Sequence, residues 1–209
     1  MNQQEQVLQV IHYLASQISL GWNYFIVFNY INQAYKQNRI KGAHTILKNA
    51  QLACWDCALL AVTKVVKPHD DSLSIYYLLN CIESNPGVYS SIIVAELRGT
   101  ELKKQIERHR KDLKEISASL PLTRLIEERD RVVAHLDRKL VNNPDGMFSS
   151  PPLDADKLRI AFLRLREILG IYDKQTSSLS LWIDESEDVI RELDYLIRLI
   201  DHDKEYKVD

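Results

Sequence analysis

Two side chains able to move protons and hold anions stand close together in PLTRLIEERDRVVAHLDRKL, residues 121–140. They are Arg129 and His135, with five residues between them. An imidazole titrates near neutral pH, so it can give or take a proton there. A guanidinium stays charged and presents a rigid fork of donors to a phosphate or carboxylate. Wound as a helix with Val132 at zero, Leu125, Leu136, Leu140 and Leu122 fall at about 20°, 40°, 80° and 80°, an apolar stripe centred near about 50°. Arg129 falls at about 60°, inside that stripe, while His135 at about −60° sits on its edge beside Glu128 at about −40°. A guanidinium on a core-facing stripe is costly unless it is paired or reaches a cavity or interface. Conflicts between local chemistry and core pattern concentrate at functional sites. Ordinary readings of these residues stay open. Arg129 can lay its stem along the core and end in an ion pair with Glu128 or with an acid of another helix. His135 can be a boundary histidine, and Arg131 and His135 can simply share a surface. Structural ion pairs produce the same pattern.

The elements that must position this segment read as helices throughout. There is no Asn-Gly hairpin dipeptide, and alternating β-branched runs are few. All six prolines (Pro68, Pro86, Pro121, Pro144, Pro151 and Pro152) fall where helices should start or stop. The punctuation predicts a first helix over about 3–36, a second over about 43–66 and a third over about 72–84, the last capped by Asp70, Asp71 and Ser72. A charged fourth helix is expected over about 88–118, and a fifth, the motif helix, over about 121–140. VNNPDGMFSSPPL, residues 141–153, reads as a mobile loop near the motif, because its Pro, Gly, Asn and Ser content resists regular structure. Two C-terminal helices are expected within 154–203, over about 154–176 and 184–203, with Asp184, Glu185, Glu187 and Asp188 in the first turn of the second. No internal repeat or low-complexity tract interrupts the pattern. The expected fold is all-α: one domain over residues 1–209, a bundle of about seven helices.

Composition narrows the class. The chain has 209 residues, 45% apolar and 27% charged, an ordinary globular balance with length enough for a sizeable core. Its net charge of −2 gives no overall pull towards nucleic acid. Residues 96–139 nevertheless hold twelve Lys/Arg against nine Asp/Glu, an excess of three, which leaves five net acids elsewhere. An anionic partner is therefore expected on the central segment. Three cysteines form no even disulfide framework and suit a reducing compartment, and no basic region opens the chain, so a cytoplasmic location is expected. Residues 6–35 carry no Lys, Arg, Asp or Glu but do carry seven amides, which a lipid-facing helix tolerates poorly. That stretch reads as a buried helix or a subunit interface, not a membrane span. Its aromatics Trp22, Tyr24, Phe25, Phe28 and Tyr30 occupy more than one face, which favours a homodimer.

The remaining constellations carry less. Cys54-Trp55-Asp56-Cys57 is a CxxC in mid-helix without a second pair, so core packing is favoured over a zinc or redox site. Asp56 and Lys64 read as surface ion-pair or capping residues. Arg108-His109-Arg110-Lys111 lies where acids alternate with bases, which favours a solvated face over an RNA track. No phosphate-cradling glycine loop, nucleophile elbow or HExxH occurs, and neither a metal nor a cofactor is expected.

The string Arg129-Asp130-Arg131-Val132-Val133-Ala134-His135-Leu136-Asp137 resembles the signature of the HEPN superfamily: Arg, a polar residue, and His four to six positions beyond the Arg. The wording RDRVVAHLD, late in a helical chain of this size, looks most like the AbiU-type abortive-infection branch. The resemblance covers about ten residues in detail and most of the chain in architecture. It implies a HEPN-like helical core and a metal-independent endoribonuclease of toxin–antitoxin or phage-defence systems. Such proteins generally form homodimers with two motifs facing a composite cleft, and cut RNA by attack of a ribose 2′-OH on the adjacent phosphate. Carried over, His135 would act as general acid or base, Arg129 would hold the scissile phosphate, and Asp130 would orient one of the two. A nucleotidyltransferase-type or other antitoxin is an implied partner. The chain departs from one pattern, since some toxin members carry Tyr two residues after the His, where AMP is attached, and this chain has Asp137. Control by modification at that position is not expected. The alternative is a non-catalytic module of the same class, which binds RNA or nucleotide, or serves helical assembly, without cutting.

Overall fold

An uncharged stretch thirty residues long can leave water only if other helices cover it on several sides, and the fold is arranged around that requirement. The computed structural model describes residues 3–40, 44–68, 73–87, 99–120, 154–172 and 177–202. These residues form six α-helices and no strand: α1 Gln3–Lys36, α2 His44–Val66, α3 Ile75–Ser84, α4 Thr100–Ser119, α5 Ala155–Tyr172 and α6 Ser177–His202. The all-α class expected from sequence holds. The fifth helix and the loop of the sequence reading, residues 121–140 and 141–153, lie outside the described residues.

Helix α1 is the axis. It buries Val7, Val10, Ile11, Leu14, Ile18, Phe25, Phe28 and Ile31, a run at three- and four-residue steps that keeps one broad face inward along 34 residues. It packs on α2 along much of its length and also touches α3, α5 and α6. Phe25 and Phe28 belong to the main core, while Trp22 and Tyr24 pack against it half-buried. Of the aromatics that suggested a subunit contact, Phe25 and Phe28 are buried within the chain and Trp22, Tyr24 and Tyr30 are partly exposed. Among the described residues no helix is long and apolar enough to cross a membrane.

Helix α2 adds Trp55, Leu59, Val62, Val65 and Val66 to the same core and ends just before Pro68. Helix α3 starts at Ile75 because Ser74 caps it, its hydroxyl accepting from the Tyr77 N–H at 3.3 Å. The cap expected at Asp70–Ser72 is therefore displaced to Ser74. Helix α4 begins at Thr100, since Gly99 takes φ +58°, a left-handed conformation that a helix interior does not admit. The helix expected from residue 88 does not run unbroken through that glycine. Its inward row is Leu102, Ile106, His109, Leu113 and Ile116. Helix α5 is led in by Asp154, whose carboxylate accepts from the Lys157 N–H at 3.0 Å, and it buries Leu158, Phe162, Leu165, Leu169 and Tyr172.

The C-terminal helix differs from expectation at its start. It begins at Ser177, not near residue 184, so the acids from Asp184 to Asp188 lie beyond its first turn and not at the positive end of its dipole. Leu179, Trp182 and Ile183 continue the apolar spacing upstream, which explains the earlier start. Helix α6 meets the far end of α1 in a second, smaller cluster of Ile31, Ala34, Ile40 and Ile197. There α1 closes on Asn38 at φ 55°, and the Arg39 N–H reaches back to the Ala34 carbonyl at 2.9 Å, a left-handed cap that turns Arg39 towards α6. Asp194 of α6 accepts from both the Arg39 guanidinium and the Tyr30 hydroxyl, and from Arg198 at 2.6 Å. Its carboxyl is held below the usual range, first by the Tyr30 hydrogen bond.

Three helices approach one another closely at Gly21. A methyl group built there would lie 2.5 Å from Cβ of Ala61 in α2 and 2.9 Å from the Phe162 ring in α5. Alanine is the better helix former by about 1 kcal/mol. Overpacking between two rigid backbones costs about 1–3 kcal/mol, which outweighs that gain. Gly21→Ala is accordingly expected to lower the urea midpoint. An unchanged or raised midpoint would show that the three helices do not meet so closely.

Candidate functional site

Arg129, Asp130 and His135 all lie within residues 121–153, outside the described residues, and so do Glu128 and Asp137. What the structure shows is the frame on either side. The segment leaves the described fold at Leu120, which is buried, and rejoins it at Asp154, which starts α5. Helices α4 and α5 pack against one another, and α4 also rests on α2 and α3. The α4–α5 pair is locked by Arg164 of α5, whose guanidinium donates to Asp112 at 2.5 Å and Glu115 at 2.9 Å. The Glu115 carboxyl is drawn below its usual range, the Arg164 hydrogen bond being the largest cause.

Under that lock lies a polar group in the core, which the sequence reading placed on a solvated face. His109 is 3% exposed. Its Nδ1 is 2.8 Å from the Tyr172 hydroxyl, and its Nε2 is 2.6 Å from the side-chain amide of Gln105. A neutral imidazole has one donor and one acceptor nitrogen, so the chain Gln105–His109–Tyr172 is satisfied without a charge. Burial pushes the His109 pKa down to about 4 and the Tyr172 hydroxyl well up. Such an imidazole holds two helices together and stays neutral at working pH. The signal for it was present in the sequence: His109 falls in step with Leu102, Ile106, Leu113 and Ile116.

The other candidates resolve as packing. Trp55 stacks on Phe28 with ring centroids 4.8 Å apart, and Cys54, half-buried against the core, has its thiol pushed up by that burial. No group of three or more potential metal ligands occurs among the described residues. A cavity of about 270 Å³ opens where α3 ends and α4 begins, lined by Glu83, Pro86, Gly99, Thr100, Leu102, Lys103 and Ile106.

The His109 geometry fixes a pH dependence. The unfolded chain protonates this imidazole near pH 6.5, and the folded chain does so only near 4, so stability is full above the unfolded value and falls as pH drops. Between about pH 7 and 5, where the carboxylates stay ionised, the loss from this one group is about 2 kcal/mol. Urea titrations at both pH values should show that loss in the wild type and a much smaller one in His109→Phe. Equal losses in the two would mean that the imidazole is not held neutral.

The sequence profile of the HEPN AbiU2 family matches residues 5–193. That span includes every described helix in whole or in part and the whole Arg129–His135 motif. No curated protein and no solved structure matches the chain. With nine-tenths of the sequence inside one family profile and an all-helical fold to match, the chain belongs to the HEPN AbiU2 family.

Proposed function

We propose that this protein is a metal-independent endoribonuclease of a toxin–antitoxin or abortive-infection system, with Arg129 and His135 as its catalytic residues and Asp130 orienting one of them. The observation that carries the reading is the family match across the Arg–Asp–(x)4–His string, whose Arg129 falls on the apolar stripe expected from helical spacing. In the proposed reaction an imidazole removes the proton of a ribose 2′-OH. The 2′-oxygen then attacks the neighbouring phosphorus, and the 5′-oxygen leaves and is protonated. The products are a 2′,3′-cyclic phosphate and a 5′-OH. The nucleophile is supplied by the substrate, so the protein provides proton transfer and stabilisation of charge on the phosphoryl oxygens.

The same chemistry favours two copies of the chain. The step needs both a base and an acid, and each motif contributes one histidine. Tyr195, Leu196 and Leu199 on the outer face of α6 are exposed and give apolar surface of the kind that marks interfaces.

General acid–base catalysis contributes about a hundred- to ten-thousand-fold, and one oxyanion contact a comparable factor. His135→Ala and Arg129→Ala should therefore each lower cleavage of a mixed RNA pool in EDTA by at least about a hundredfold. Fragments ending in 2′,3′-cyclic phosphate, made by the wild type alone, support the mechanism. Cleavage that needs magnesium, or that survives His135→Ala, removes it. Intact RNA in every case leaves the non-catalytic binding module in its place. Light scattering of the active preparation at micromolar concentration should give twice the 24.3 kDa chain mass, and a cleaving monomer would exclude the two-motif site.

A further inference from the structure

We propose that the outer crest of α4 is the track on which the phosphodiester backbone of the RNA lies; this deepens the ribonuclease reading and rests on it. The buried row of α4 occupies one side of the helix, and Lys103, Lys104, Arg108, Lys111 and Lys114 are exposed on the opposite side. Five acids and bases of this helix are already engaged in ion pairs. Asp112 and Glu115 hold Arg164 of α5, Arg110 turns to Asn80 and Glu83 of α3 at 2.7 Å each, and Lys104 pairs with Glu101 at 2.8 Å. Outside those ion pairs the exposed charges of α4 are Lys103, Arg108, Lys111 and Lys114 against Glu107, with Lys103 near Glu83 and Lys111 near Glu115.

The structure thus sorts a helix of mixed charge into an inner set that ties α3, α4 and α5 together and an outer set with three net positive charges. This distribution is not the alternation of a merely solvated face, where each acid offsets a neighbouring base. It also stands against the net charge of −2 of the whole chain. From Lys103 to Lys114 the crest runs about 16 Å at 1.5 Å per residue, and Arg108, Lys111 and Lys114 follow one another about one helical turn apart, a spacing suited to successive phosphates of a single strand. The stripe ends at Lys114, six residues before Leu120, after which the chain continues into the segment that carries Arg129 and His135. Lys and Arg contacts to phosphate are sequence-independent and release counterions, so such a track governs affinity and its salt dependence and not the chemical step.

The test uses the full chain carrying His135→Ala, so that RNA is bound without being cut, and a labelled, mixed-sequence single-stranded RNA in EDTA. Anisotropy is followed across a salt series. Adding Arg108→Ala and Lys111→Ala should weaken binding by about tenfold and lower the slope of log K against log salt by about 1.4, at about 0.7 per phosphate contact. Adding Glu107→Gln instead should tighten binding severalfold, an improvement that damage to the fold cannot produce. Arg191→Ala, on the exposed face of α6, should change nothing. If the parent binds RNA but the α4 substitutions leave affinity and slope unchanged, the track is wrong and the ribonuclease reading stands. If the parent binds no RNA at any salt, both fall together.

Discussion

The close approach of α1 to α2 and α5 at Gly21 is the constraint on which the rest of the bundle depends. Only a residue without Cβ lets Ala61 and Phe162 come so near, and that nearness covers the uncharged stretch of α1, residues 6–35, from two sides at once. Trp22 and Phe25 follow directly, both stacked against Phe162 with centroids 5.8 and 6.2 Å away. Dispersion and apolar burial along this seam are non-directional, so they fix which helices meet but not where each one stops.

Polar contacts set those limits. Ser74 decides where α3 begins, Asp154 where α5 begins, and Asn38 where α1 ends. Arg164 and the buried Gln105–His109–Tyr172 chain then fix α4 against α5 at two levels, one at the surface and one in the core. These are the two helices between which residues 121–153 are strung. A group buried without partners would cost more than a hydrogen bond returns, so the satisfied histidine specifies one pairing of α4 with α5. The frame that carries the motif segment is thereby held by directional contacts and not by apolar packing alone.

Sequence spacing revealed the helices whose apolar residues recur without interruption. The bounds expected for the first helix, 3–36, match α1, because its row from Val7 to Ile31 is unbroken and no proline enters it. Starts were harder to read. Ser74 and Ser72 are equally good caps by composition, and only the packing of Ile75 decides between them. Acids near residue 184 resemble a first helical turn, yet α6 begins at Ser177. His109 was misplaced because its neighbours Arg108, Arg110 and Lys111 are charged, and the i, i+3, i+4 register of the row outweighs neighbours in sequence. Sequence spacing likewise does not show that α5 returns to pack Phe162 on Trp22 and Phe25 of α1. For the candidate site, Arg129, Asp130 and His135 were legible as a string, and the family profile covers them. Contacts across helices, such as that of His109 with Tyr172, are not encoded by spacing along one chain.

In the proposed reaction the RNA's own 2′-OH is the nucleophile, with His135 and Arg129 serving it. The most direct measurement replaces one ribose by 2′-deoxyribose at a mapped cleavage position in an otherwise unchanged RNA and follows cutting in EDTA. Loss of cleavage at that position alone, with cutting elsewhere at the wild-type rate, is the expected result. Continued cleavage at the deoxy position would contradict the account, because a nucleophile other than the 2′-OH would then be doing the chemistry.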